Sequence, residues 1–337
     1  MTTDLADLAD LLIDGPWKHR FVAANGARFH VAEMGTGPAV LLLHGFPQFW
    51  WAWRAQMLAL AGAGFHVVAM DLRGFGASDK PPRGYDTPTL VADVAGVVRS
   101  LGLRRAVIVG HGWGGWVAWS MPALAPRVTR AVAVLGMAHP LRMRHATFHG
   151  RQRSATRRLL HFQVPMVPER SLVRGDGVER ILRTWSGPGY PDASTLQTYR
   201  TAMRVPFVAH TSMEYYRWAV RSLWRVDGRR FTAALRAPIQ VPVLQIHGGL
   251  DPWVLPETAG GSESWVQGPF RFESLPSVGH FLPEEASDEV TALLLDWLAG
   301  LDPSGEPDRP GAGGQREQGP GRRQGSGQPT AHPPVGT

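Results

Sequence analysis

Ala106-Val107-Ile108-Val109-Gly110-His111-Gly112-Trp113-Gly114-Gly115-Trp116-Val117-Ala118-Trp119 passes from a β-branched run into a tight turn, then into small and apolar residues at helical spacing. This is the frame of a nucleophile elbow, a sharp strand-to-helix turn. Its central residue is held at positive φ, so that the side chain stands clear at the carboxyl edge of a sheet. The central position, two residues after Gly110 and two before Gly114, is Gly112. The frame is present and the nucleophilic side chain is not.

Strand and helix patterns alternate on both sides of this stretch. Upstream, 21–24 and 28–33 flank Asn25-Gly26 and read as a hairpin with a tight primed turn. A buried strand at 39–43 runs into His44-Gly45-Phe46-Pro47. A helix is expected from Trp50 to Leu60, a strand at 65–70, a Gly-rich turn at 71–79 and a helix from Leu90 to Leu101. The Gly-rich turn lacks the Gly-Lys-Ser/Thr ending of a phosphate loop, so it reads as structural. Downstream, a strand at 131–135 is followed after His139 by a mostly helical stretch broken at Pro165, Pro168, Gly187-Pro188-Gly189 and Pro206. Strand patterns resume at 241–247 and 270–275, and a helix closes the pattern from about Pro283 to Leu298.

This order predicts an α/β fold with a mostly parallel central sheet, helices on both faces and an inserted helical cap. The expected divisions are 1–138 and 238–300 for the two parts of the core and 139–237 for the cap. The Gly- and Pro-rich tail at 301–337 is expected to be disordered, because it has too little apolar surface to offset the entropy of ordering.

Composition narrows the class. A chain of 337 residues with 44% hydrophobic content, thirteen Trp and thirteen Phe can bury a large core. It has no cysteine, which excludes disulfides, thiolate metal sites and a thiol nucleophile. The acidic start, with leucines at 5, 8, 11 and 12, suits a short amphipathic helix rather than a signal peptide, and no apolar run has the length of a membrane span. The expectation is a cytoplasmic monomer or homodimer that engages neither membrane nor nucleic acid. The formal charge of +7 is concentrated. Residues 139–237 hold eighteen Arg against six acidic residues, and lysine occurs only at Lys18 and Lys80. Without a nucleic-acid motif, this reads as a solvated basic face or as an attractant for an anionic substrate or partner.

Three polar sites fall just past the carboxyl ends of expected strands: His44-Gly45, the elbow, and Asp251 in Gly248-Gly249-Leu250-Asp251-Pro252. His280 lies in the loop after the last strand. Elbow, acid and histidine in that order follow the chain order of a hydrolase triad. Asp251 would hold one ring nitrogen of His280 and leave the other to take a proton from water. Nothing in the spacing implies a metal or an organic cofactor.

Residues 17–299 resemble the α/β-hydrolase superfamily, and within it the epoxide hydrolases and their haloalkane dehalogenase relatives. The resemblance is carried by His44-Gly45-Phe46-Pro47 with Trp50-Trp51-Ala52-Trp53-Arg54, by Asp71-Leu72-Arg73-Gly74 with Ser78-Asp79, and by Gly110-His111-Gly112-Trp113-Gly114-Gly115. It implies a cap over a pocket at the top of the sheet, a cis peptide before Pro47, and an oxyanion hole from the N–H groups of Phe46 and Trp113. It also implies an aspartate nucleophile where this chain has Gly112, and two cap tyrosines that protonate the opening epoxide. Tyr216 matches the second tyrosine, with Tyr215 as alternate, and Arg158 stands where the first is expected. His44, Pro47, Trp50 and Trp51 are expected to line the pocket, with plain structural packing as the alternative for His44 and the tryptophans.

The function expected from this resemblance is ancestral opening of epoxides to diols on a small, mainly apolar substrate. The covalent step would be disabled at Gly112, and slow direct attack by His280-activated water would remain. The alternatives are a non-hydrolytic step of natural-product metabolism, such as cyclisation, elimination or proton transfer, and a small-ligand-binding pseudoenzyme.

Overall fold

The computed structural model describes residues 7–301, apart from the side chain of Arg158. Eight strands form one sheet: β1 Lys18–Ala24, β2 Ala27–Met34, β3 Ala39–Leu43, β4 His66–Met70, β5 Ala106–His111, β6 Thr129–Leu135, β7 Val243–Gly248 and β8 Phe270–Leu275. Their spatial order is β1-β2-β4-β3-β5-β6-β7-β8. The β1–β2 and β2–β4 pairs are antiparallel and all other pairs are parallel. The hairpin turns through Asn25 and Gly26, both at positive φ, which the primed turn requires. Every residue of β3, β5 and β7 is buried, as expected of parallel strands covered on both faces.

The α-helices are α1 Arg54–Gly62, α2 Thr87–Ser100, α3 Trp113–Leu124, α4 Pro140–Ala146, α5 Gln152–Arg157, α6 Val167–Arg174, α7 Gly177–Trp185, α8 Ala193–Arg204, α9 Val208–Arg221, α10 Val226–Ala234, α11 Pro256–Ala259, α12 Leu282–Glu285 and α13 Ser287–Ala299. Among the described residues the regular elements between β6 and β7 are helices, α4 to α10 with the 3-10 turn Arg158–Gln163. This segment rests on the loop that follows β4: Tyr215 and Thr211 of α9 donate to the carbonyls of Arg73 and Gly74, both at 2.7 Å.

Three helices differ from the sequence reading. Trp50–Trp53 is a separate 3-10 turn ahead of α1, because the Trp50 N–H is taken by the buried Asp71 carboxylate at 2.8 Å. The closing helix is broken at Ala286, whose φ of −135° and ψ of 51° are not helical. At the start, Leu8–Leu11 is a 3-10 turn capped by Asp7, in which only Leu11 is buried. Leu5 and, beyond Leu301, the tail expected at 301–337 lie outside the described residues.

Candidate active site

The elbow is built by close approach of backbone to backbone. A Cβ on Gly114 would fall 2.2 Å from the Leu43 carbonyl, and one on Gly110 would fall 2.1 Å from the Gly114 carbonyl. Between them Gly112 adopts φ 52° and ψ −115°, a region costly for residues with a side chain. Its N–H donates to Leu135 at the end of β6, and its carbonyl accepts from Trp116 in the first turn of α3. A Cβ placed on Gly112 would lie 3.3 Å from His280 Nε2 and 3.4 Å from Gly45 Cα.

Asp251 follows β7 in a turn that its own carboxylate organises. Oδ1 accepts from the N–H groups of Trp253 and Val254 at 2.8 and 3.0 Å, and Oδ2 accepts from His280 Nδ1 at 2.7 Å. Both side chains are buried. With Nδ1 donating to the carboxylate, Nε2 carries the lone pair and points to the elbow. His280 is clamped at its backbone too. Its N–H donates to the Trp185 carbonyl at the end of α7, and its carbonyl accepts from His111 Nε2 at 2.7 Å. Burial, with His280 close by, holds His111 well below the usual histidine range, so it is a neutral brace. Its other nitrogen meets the Gln48 side-chain amide at 2.8 Å.

A cavity of about 220 Å³ opens over Gly112 and His280, walled by Phe46, Trp113, Met137, Leu159, Tyr216 and Trp253 among others. A second cavity of about 270 Å³ lies among Phe162, Leu172, Ile181 and Trp185; it shares Leu159 and Trp253 with the first but reaches neither Gly112 nor His280. The two candidate tyrosines separate. Tyr216 lines the cavity over Gly112, its ring edge-on to Trp113 at 5.1 Å, and burial raises its hydroxyl well above the ordinary tyrosine range, opposed by a hydrogen bond from the Trp113 side chain. Tyr215 points away and spends its hydroxyl on the Arg73 carbonyl. Arg158 opens a 3-10 turn, Arg158–Gln163, whose Leu159, Leu160 and Gln163 line the cavity; its own side chain lies outside the described residues.

The four residues expected at the pocket, His44, Pro47, Trp50 and Trp51, do not line it, which corrects that expectation. His44 is consumed by backbone: Nδ1 bonds the Gly45 carbonyl at 2.7 Å and Nε2 accepts from Leu72 N–H at 3.1 Å. Trp50 packs edge-on to Trp17 and donates to the Leu11 carbonyl, while Trp51 lies under the Arg54 guanidinium and against Tyr199. Pro47 is buried behind a cis peptide bond from Phe46. The sequence reading missed the bracing role of His111 and Gln48, although His111 sits beside Gly112 in the elbow itself. Arg144 is a cation in the wall of this largely apolar cavity, and its guanidinium donates to Ser222 Oγ. Among the described residues no cluster of three His, Asp or Glu side chains is placed to hold a metal ion.

Comparison with known proteins agrees with the fold. The family model described as alpha/beta hydrolase fold matches residues 38–287. The chain is similar to epoxide hydrolase A of Mycobacterium tuberculosis, with 33% identity over 84% of this chain and 98% of that one. It is also similar to epoxide hydrolase 3 of Xenopus tropicalis, with 30% identity over 81% and 75%. Among solved structures, epoxide hydrolase A from Mycobacterium thermoresistibile superposes with a TM-score of 0.74 at 28% identity, covering 85% of this chain and 99% of that one. An epoxide hydrolase from an endophytic Streptomyces gives 0.71 at 29%, covering 86% and 97%.

Proposed function

Because the chain belongs to the α/β-hydrolase fold family, on its epoxide hydrolase-like branch, we propose that it binds a small apolar epoxide beneath a cap formed by 139–237. We propose further that it opens the epoxide slowly, by direct attack of water. The observation that supports this is the 3.3 Å between His280 Nε2 and the point where a side chain of residue 112 would begin. A nucleophile standing there, carried by the protein or by solvent, is within reach of the base.

In this reading a water in the space left at Gly112 gives a proton to Nε2 and its oxygen bonds to an epoxide carbon. The carbon–oxygen bond breaks, and the departing oxygen takes the hydroxyl proton of Tyr216. The imidazolium, stabilised by Asp251, returns its proton through solvent to the tyrosinate. In this direct route the Phe46 and Trp113 N–H groups have no oxyanion to hold, because without a side chain at Gly112 no enzyme ester, and so no tetrahedral intermediate of its hydrolysis, can form. General-base assistance alone is worth about 10²–10⁴-fold, so turnover is slow.

The test is diol formation from a panel of aryl and alkyl epoxides by the parent chain, Gly112→Asp and His280→Ala. Slow diol production by the parent, loss of it in His280→Ala and a large gain in Gly112→Asp are expected. A parent activity that survives His280→Ala sinks the water-attack reading, and silence from both parent and Gly112→Asp sinks the epoxide reading in favour of ligand binding or non-hydrolytic chemistry.

A further inference from the structure

The cavity over Gly112 has an apolar mouth. Phe148, Leu160 and Trp224 line it and are also exposed, at 53%, 57% and 72%. They come from three places: the turn after α4, the 3-10 turn Arg158–Gln163 and the turn between α9 and α10. Single exposed hydrophobics need no account, but three large ones gathered at one opening mark a contact surface.

The chain around that opening is predominantly basic. Residues 141–168, which supply Phe148 and Leu160, hold six Arg and three His and neither Asp nor Glu. Arg153 and Arg157 are exposed on α5, the helix whose Thr156 lines the cavity. Among the described residues neither has a carboxylate within ion-pair distance. Trp224 stands between Arg221 and Arg225, whose partners Glu214 and Asp227 leave both guanidiniums more than half exposed.

We infer that this rim docks on an anionic lipid bilayer. Phe148, Leu160 and Trp224 enter the interfacial layer, Arg153, Arg157 and Arg225 meet headgroup phosphates, and the cavity opens toward the acyl region, from which an apolar substrate can enter without crossing water. Tryptophan favours that interface, and each arginine at an anionic surface strengthens partitioning by about fivefold. Among the described residues no helix is long and apolar enough to cross a membrane, so the contact is peripheral. Arginines alone would equally suit a nucleic acid; the protruding leucine, phenylalanine and tryptophan at the mouth of an apolar cavity favour lipid. The inference stands apart from the ring-opening chemistry, since none of these residues belongs to it.

Co-sedimentation of the full chain with vesicles tests it, using pure phosphatidylcholine and equal parts phosphatidylcholine and phosphatidylglycerol, with a single-stranded oligonucleotide as competitor. Binding to the mixed vesicles is expected to exceed binding to pure phosphatidylcholine by about tenfold or more. It should fall by about tenfold in F148S/L160S/W224S and by about a hundredfold in R153Q/R157Q/R225Q. Unchanged thermal midpoints show that the variants fold, and W224S alone, with a severalfold loss, serves if a triple variant does not. Equal binding to both vesicles, undiminished binding by the folded rim variants, or displacement from vesicles by the oligonucleotide overturns it.

Discussion

The carboxyl edge of the sheet and the helices above it are held together by opposite means. At the edge, polar side chains are fully buried and tied to backbone. Asp71 accepts from His30 Nδ1 and from the N–H groups of Trp50 and Ala77. His44 spans the Gly45 carbonyl and the Leu72 N–H, and Asp251 caps its own turn while holding His280. In the helical segment many polar contacts are ion pairs near solvent, such as Arg183 and Arg200 with Glu179. Buried groups bonded to backbone cannot relax without losing partners, whereas half-exposed pairs trade freely with water. The difference teaches where each task belongs: fixed geometry for chemistry at the sheet edge, and shape and access in the helices.

Asp71→Asn is the strongest way to break this contrast. The change leaves backbone donors and His30 facing an amide at a fully buried site, at an expected cost of about 3 kcal/mol in urea unfolding. Arg183→Ala, which removes an exposed pair one helical turn long, should cost less than about 0.5 kcal/mol. Comparable losses from the two would erase the distinction.

The adjacent tyrosines place the boundary between the two regions inside a single helix, α9. In the Gly112→Asp background, Tyr216→Phe removes the proposed proton donor and should slow ring opening by about 10²-fold while leaving the melting temperature nearly unchanged. Tyr215→Phe deletes the hydrogen bond to Arg73, so it should cost about 1 kcal/mol of stability and leave turnover within a few-fold. An exchange of these two signatures would reverse the assignment of Tyr216 to the cavity chemistry.

How much of this was legible in the sequence follows the same division. The sheet strands were readable because a parallel strand covered on both faces is an unbroken apolar run, as at 39–43 and 106–109, and the elbow because its glycines are demanded by backbone contact rather than by propensity. Asp251 and His280 were legible through their order after strands. His44, Trp50 and Trp51 were not, since position beside the elbow does not say which way a side chain turns. The Trp50 N–H goes to Asp71, and its indole is drawn back toward Leu11, away from the cavity. Nor did helical spacing separate Tyr215 from Tyr216, because neighbours on a helix face differ by about 100° and only the docking of α9 on the Arg73–Gly74 turn selects one. The apolar mouth was invisible for a related reason: Phe148, Leu160 and Trp224 are distant in the chain and converge only in the folded cap.

At the junction of the two regions the balance is set by pH. His139 stands at the entrance to α4, its ring stacked on Trp265 at 4.9 Å and edge-on to Trp119 at 5.4 Å. Burial pushes its pKa down to about 3, against an ordinary value near 6.5. As pH falls below about 6.5 the unfolded chain takes up a proton that the folded chain refuses, so stability present at neutral pH is lost progressively toward about pH 3. By pH 5 this one group withdraws about 2 kcal/mol. His44, His111 and His247, also lowered by burial, add losses of their own, so the informative quantity is a difference between variants. His139→Asn keeps a side chain able to cap α4 but has nothing to titrate. Its urea stability should therefore fall by about 2 kcal/mol less than the parent's between pH 7 and pH 5. Parallel declines in the two proteins would show that the junction tolerates a charged imidazole, and with it that the rigid, buried character of the sheet edge stops short of His139.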